Sequence, residues 1–399
     1  MKHGITTVYN FRTTYLLFAL FTNVFVTMYM ILNDDNTIDA NTQHAHYFRF
    51  IYCTIWFICG IWYLKDRIKG ELNTNTTKYF VWFTIGTFAS LCISHSGNIL
   101  ILVSNILLFA SSCLTLMGCY SYGYKYGKTN NILYIVAVTI LACAFAYVSI
   151  YKTYNILGSR GHFGVAYYAL YLLPLILASD KRWIRISSII IVSVVIISSI
   201  KRGGLVALTL GLFVYIFVSR MIAKKSLKSL MILFITLLVL AVFLYILVIY
   251  LGDNIIERLF DANDDTGSGR LEIWDSLFCR LKDQSITLWI FGNGHLSTTT
   301  HSWENLSAHN DFLEILYNYG IVNLITYTFF ILSVSFYTIR AIRQSSKLAP
   351  CLAMLLTIYI ILSMISIIIL SHTCTLSMIS FGFLIGWNEH EQQQSLQKI

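Results

Sequence analysis

KRGGLVALTLGLFVYIFVSR, residues 201–220, is an apolar run closed at both ends by basic residues. A segment of this length satisfies its own backbone polar groups in hydrocarbon only as a helix, so it reads as a membrane span over 204–222. The rest of the chain repeats the pattern. Hydrophobic residues make up 57% of 399 and charged ones 12%, with two prolines, and further runs of spanning length lie near 13–32, 48–64, 79–93, 99–119, 132–151, 165–179, 186–200, 230–251, 321–339, 351–371 and 373–388. Twelve spans are expected, and ten to twelve is the range the run lengths support. The first run is long and lacks a convincing small-residue cleavage site, so it reads as the first span and not as a cleavable signal peptide.

Lysine and arginine divide unevenly between the two sides of those spans. Nineteen of the twenty-eight fall on one side, from Lys2 and Arg12 through the 65–78, 125–128, 180–185 and 220–228 connections to Arg340, Arg343, Lys347 and Lys398. The other side holds nine, four of them in one long loop, so the positive-inside rule puts both termini in the cytoplasm and the loop outside. The net charge of +9 is thereby a topology signal, and nucleic acid is not implied. Nearly all of the nine cysteines lie in or beside apolar spans and read as packing residues, with Cys279 in the outer loop. CxxC pairs and HExxH-like spacings are absent, which leaves metal binding without a motif. No small-residue stripe argues for an oligomer.

Between 252 and 310 the apolar pattern stops, and nine of the nineteen acidic residues gather there. A connection that long is functional more often than not. The expected organisation is an all-α polytopic membrane protein: a helix bundle over 1–251, an outer loop with short helices over 252–310, and C-terminal spans with a cytoplasmic tail over 311–399. Within the loop RLEIWDSLFCRLKD (270–283) predicts an amphipathic helix lying on the membrane surface, with Leu271, Trp274, Leu277, Phe278 and Leu281 as its apolar face. GSG (267–269) ends what precedes it and leaves Arg270 in the first turn, against the helix dipole. Two readings of Arg270 stand side by side: an ion pair with Asp264, Asp265 or Asp275, or a site for an external anion.

SAHNDFLEILYNYG (307–320) predicts a helix capped by Ser307 or Asn310, with Asp311 and Glu314 in its first turns. His309 then sits just before the helix N-terminus, where the dipole favours a neutral ring, the form that accepts a proton or orients a hydroxyl. The plainer reading is a histidine that caps the helix or faces water. Lys201 and Arg202, in SSIKRGG (198–204), stand on the outer side near hydrocarbon as either snorkelling anchors or functional cations, and Lys152, Arg160 and His162 share that side. Converging, these segments would make a cationic pocket at the lipid boundary beside a neutral histidine, suited to the diphosphate of a lipid-linked substrate.

The order SGRLEIWDS (268–276), FGNGH (291–295) and AHNDFLEILYNYGI (308–321) resembles the signature region of the O-antigen ligase and O-antigen polymerase superfamily of bacterial envelope glycosyltransferases. Arg270, His309, Asn310 and Gly320 match its SGR-type arginine and its His-Asn pair ahead of a glycine. Arg202 matches its membrane-edge arginine, with Ile200-Lys201 in place of the small residue that usually precedes it. The resemblance implies a GT-C-like, metal-independent and cofactor-free glycosyl transfer on the periplasmic face of the inner membrane, from an undecaprenyl-diphosphate-linked glycan. It implies catalytic roles for His309, Arg270 and Arg202, and substrate binding by Asn310 and Glu314. Lys201, Arg160 and the loop's Arg258 join the substrate-binding candidates as further outer-side cations.

The acceptor is a lipid-linked repeat unit for a polymerase, or lipid A-core for a ligase. The aromatic and acidic helix in AHNDFLEILYNYGI looks more like the polymerases, whose other partners are membrane lipid and a chain-length regulator. A flippase or transporter is the alternative from another class, and would carry charges within several spans; here the spans are nearly charge-free.

Overall fold

The computed structural model describes residues 11–32, 43–70, 76–94, 99–154, 165–198, 202–223, 270–302 and 305–397. Among them are fourteen helices and no strand. Eight come first: α1 Phe11–Leu32, α2 Gln43–Ile68, α3 Thr76–Ser94, α4 Ile99–Tyr126, α5 Asn130–Tyr154, α6 Val165–Leu177, α7 Arg182–Ser198 and α8 Arg202–Ile222. Three short ones follow, α9 Arg270–Lys282, α10 Ile286–Phe291 and α11 Ser297–His301, before the long α12 Asp311–Arg343, α13 Ala349–Ile365 and α14 His372–Leu396.

Eleven of the twelve expected spans fall on these helices, and the twelfth, 230–251, lies outside the described residues. Among the described residues, three stretches are by length and composition long and apolar enough to cross a membrane: Leu102–Tyr126, Gly203–Ile222 and Asp311–Arg343. Phe11–Val26, Ile132–Ala144, Tyr167–Leu177 and Ala349–Ile365 are shorter apolar helices. The chain is an all-α membrane protein, as its composition implied.

Two kinds of contact build the bundle. Where α4 meets α14 the backbones approach closely: a Cβ added at Gly386 would lie 2.3 Å from the Tyr120 carbonyl oxygen, and one at Gly382 would lie 2.8 Å from that of Leu116. Small residues permit such close packing in lipid, where apolar transfer drives no association between helices. At the bundle centre aromatic rings pack on one another instead. Phe83 lies 6.0 Å from Phe109 and 5.4 Å from Tyr327, and Phe330 packs on Phe80 at 4.8 Å. Seven of the nine cysteines are buried, and Cys92 and Cys279 are exposed.

Two expectations need correction. The span read over 351–371 is cut at Ile365, because the chain turns and presents the Ile368 and Ile369 N–H groups to the Asp311 carboxylate at 2.8 and 3.1 Å. The amphipathic helix α9 forms where expected, but its buried face is Ile273, Leu277 and Leu281, packed with Ala308, Leu313 and Tyr317. Leu271 and Phe278, read as part of that face, are 57% and 48% exposed. The i, i+4, i+8 row won because the helix docks on its own chain, and the second apolar row is left outward.

Candidate functional site

The site grows from the start of α12. Asn310 caps it: its side-chain oxygen accepts from the N–H groups of Phe312 at 3.0 Å and Leu313 at 3.2 Å. The residue before the cap is His309, at φ +48°, a left-handed conformation that non-glycine residues adopt uncommonly. Two anchors hold the preceding peptide. The Ala308 N–H donates to Glu314 Oε1 at 2.7 Å, and the Ala308 carbonyl accepts from Trp274 Nε1 of α9 at 2.7 Å. Glu314 is fully buried, and its other oxygen accepts from Thr298 Oγ1 at 2.5 Å and Asn318 Nδ2 at 2.9 Å. A buried carboxylate needs such donors, and here they bind the His309 turn to α11 and α12.

FGNGH joins the same body from the other end. Asn293 donates from its backbone and its side chain to the Tyr317 carbonyl, at 2.9 and 3.0 Å, and the Gly294 N–H donates to that of Asn318 at 3.0 Å. The crossing is backbone on backbone. Gly320, at φ +83°, breaks α12 into a first segment and a longer second one, and a Cβ there would stand 2.1 Å from the Ile290 carbonyl oxygen. Gly292, at φ +81°, faces it, with Asn318 O 2.3 Å from where its own Cβ would lie. Only glycine serves at both positions.

Two further histidines belong to this body. His295 Nδ1 hydrogen-bonds the Tyr319 hydroxyl at 2.5 Å, and burial, reinforced by the nearby Arg49 guanidinium, pushes its pKa down to about 3. His301 Nδ1 meets the Tyr317 hydroxyl at 3.0 Å, and burial followed by Arg280 lowers its pKa too.

Arg270 opens α9 one turn before Trp274, so the Trp274–Ala308 bond sets that turn beside the His309 loop. Arg270 is half-buried, and its charge acts on Tyr167, the aromatic near the start of α6. Among the described residues the ion pairs are Arg12–Asp66 and Lys128–Asp180, so Asp275 is not the partner of Arg270. Tyr167 also borders the start of α8: its hydroxyl lies 3.5 Å from where a Cβ on Gly203 would be, next to Ile365. Asn310 Nδ2 donates to the Met364 carbonyl at 3.4 Å at the end of α13. One end of the molecule thus gathers His309-Asn310, Arg270 and the helix start at Arg202. Lys201, Arg160, His162, Arg258, Asp264 and Asp265 lie outside the described residues.

Several residues that build this site escaped sequence reasoning. Asp311 was read as a dipole partner, yet its carboxylate ties the α13–α14 turn to α12. Trp274 was read as apolar surface, yet its indole N–H holds Ala308. Thr298 and Tyr167 carried no spacing signal, since their partners are distant in sequence, whereas Asn318 stands four residues from its partner Glu314 and Asn293 lies within FGNGH.

A helical membrane protein with an outer unit of short helices folded over one end of the bundle is the class these features define. Residues 187–328 match the model of a family described as O-antigen ligase, a match consistent with the superfamily that the motifs resemble. The matched stretch holds Lys201, Arg202, Arg258, Arg270, His309, Asn310, Glu314 and Gly320, and leaves Arg160 outside. No curated protein matches the chain.

Proposed function

We propose that the protein is a glycosyltransferase that joins undecaprenyl-diphosphate-linked repeat units into a polysaccharide on the periplasmic face of the bacterial inner membrane. The observation that carries this reading is the convergence of Arg270, the Arg202 helix start and His309-Asn310 around the Met364–Ile369 turn. Diphosphate is already a good leaving group, so the protein's main tasks are to meet its developing charge and to aim the attacking hydroxyl.

In this reading Arg270 and Arg202 hold the diphosphate, with Lys201, Arg160 and Arg258 as additional cations around it. His309 receives the acceptor hydroxyl. Its oxygen attacks the anomeric carbon as the carbon–oxygen bond to diphosphate breaks, the proton passes to the imidazole, and the diphosphate leaves on its lipid carrier. A single displacement inverts the anomeric centre. Asn310 serves beside His309, while Glu314, buried behind the loop, acts by holding the Ala308 peptide. The arginines meet the charge that a metal would otherwise carry, so the reaction proceeds with chelator present.

The second reading, a ligase that transfers a finished chain to lipid A-core, is favoured by the description of the matching family. Purified protein given a synthetic lipid-linked repeat unit and chelator decides between them by gel. Polymer from the repeat unit alone supports the polymerase, and transfer only when lipid A-core is added supports the ligase. Arg270→Lys, at normal protein level, is expected to lose on the order of a hundredfold in rate, because an ammonium cannot reproduce the planar fork. Full activity in Arg270→Lys reduces that residue to a general positive field.

A further inference from the structure

The bundle has a second polar feature far from the candidate site. Helix α8 starts at Arg202 and ends at Ile222, 21 residues or about 30 Å away. At that far end is a cavity of about 600 Å³, bordered also by the chain just beyond α12, the start of α13 and the last part of α14. Three cations line it, Lys128, Arg185 and Lys347, against two carboxylates, Asp180 and Glu391.

The carboxylates are already engaged. Asp180 pairs with Lys128, and Glu391 Oε1 accepts from Trp387 Nε1 at 2.9 Å. Arg185 and Lys347 form no ion pair with any described residue, and Arg185 reaches the Tyr215 hydroxyl in the same wall. The Ser179 and Ser219 hydroxyls add small polar groups, and Leu177, Ile222 and Leu348 give an apolar side. Cations, hydroxyls and apolar wall at one end of apolar helices match an anionic headgroup whose acyl chains continue along the protein. Basic pockets between membrane helices recognise lipids in this way.

We propose that this cavity is a binding site for the phosphate-bearing headgroup of an anionic phospholipid, with Arg185 and Lys347 on the phosphate. Lipid is favoured over a soluble phosphate ester because half-buried Ile222, at the cavity's edge, ends an apolar helix of membrane-spanning length beside the exposed Met221, and acyl chains can follow that surface where a free anion cannot. The site is independent of the glycosyl-transfer reading.

Native mass spectrometry of the full chain in detergent tests it, by titration with phosphatidylglycerol, phosphatidylcholine or glycerol 3-phosphate. Phosphatidylglycerol is expected to be retained selectively, with affinity falling about tenfold or more in Arg185→Gln/Lys347→Gln. Lys347 is exposed, so Lys347→Gln alone leaves the fold undisturbed and should give part of that loss. Equal retention of phosphatidylcholine, or unchanged phosphatidylglycerol binding in both variants, would overturn the proposal. Glycerol 3-phosphate binding as tightly as the lipid would replace it with a soluble phosphate ester.

Discussion

The outer unit and the membrane bundle are held together by different chemistry. In the bundle, cohesion comes from packed aromatic rings around Phe83, Tyr327 and Phe330 and from the close α4–α14 contact at Gly382 and Gly386. In the outer unit it comes from directed hydrogen bonds onto single peptides: Glu314 and Trp274 on Ala308, Asn293 on Tyr317, Asn310 on Phe312 and Leu313. Packing is tolerant of direction, whereas a hydrogen bond fixes one atom against another. The unit that carries His309 is therefore built for position, and the bundle for cohesion.

The largest expected effect sets one glycine from each region against the other. Gly320→Val puts a side chain where the Ile290 carbonyl oxygen already stands, on a backbone at φ +83°. Backbone strain of this kind costs on the order of 1–3 kcal/mol before any clash is counted. Transfer should fall below detection, and limited proteolysis should cut the outer unit while the bundle stays inserted. Gly386→Ala forces α14 off α4 and should lower the amount of folded protein, with the specific activity of what remains unchanged. Equal loss of specific activity in both would erase the distinction between the regions.

A smaller effect is expected one layer behind the site. Glu314→Gln weakens the acceptor for the Ala308 N–H in a fully buried position, at a cost of about 1–3 kcal/mol local to the outer unit. Hydrogen exchange should rise over 305–320 and stay unchanged in α4 and α14. A rate loss without that local change would place Glu314 in direct contact with substrate.

The smallest effect is a pH dependence. His295 has its folded pKa depressed to about 3 from 6.5. Its neutral form is the one the fold accepts, so its contribution is full above pH 6.5. As the pH falls from 6.5 toward 3 the unfolded chain binds a proton that the folded one does not, and stability declines. Thermal unfolding of the outer unit followed over that range should show this slope, and His295→Gln should flatten it. An identical slope in the variant would assign the dependence to another group.

Much of the fold was legible because hydropathy reports burial in lipid directly, as at α8, where the run from Arg202 to Ile222 forms the expected helix. Asn310 as a cap and Arg270 as a first-turn residue were legible because caps and helix starts are local signals. The docked face of α9 was legible in part: Leu277 and Leu281 are buried as expected, but Ile273 joins them where Leu271 and Phe278 fit a helical apolar row equally well, and only the tertiary partners choose between them. The bond from Trp274 to Ala308 spans 34 residues and leaves no pattern in the chain.

Donor binding and product formation, measured together for His309→Ala, test the central claim most directly. The protein is purified in detergent, and a synthetic undecaprenyl-diphosphate repeat unit is supplied with chelator present. The account predicts donor affinity close to that of the parent protein and a rate lower by about a hundred- to ten-thousand-fold, the usual contribution of a positioned base. His309→Ala forming product at the parental rate would contradict it and leave this histidine no more than a residue that precedes a helix cap.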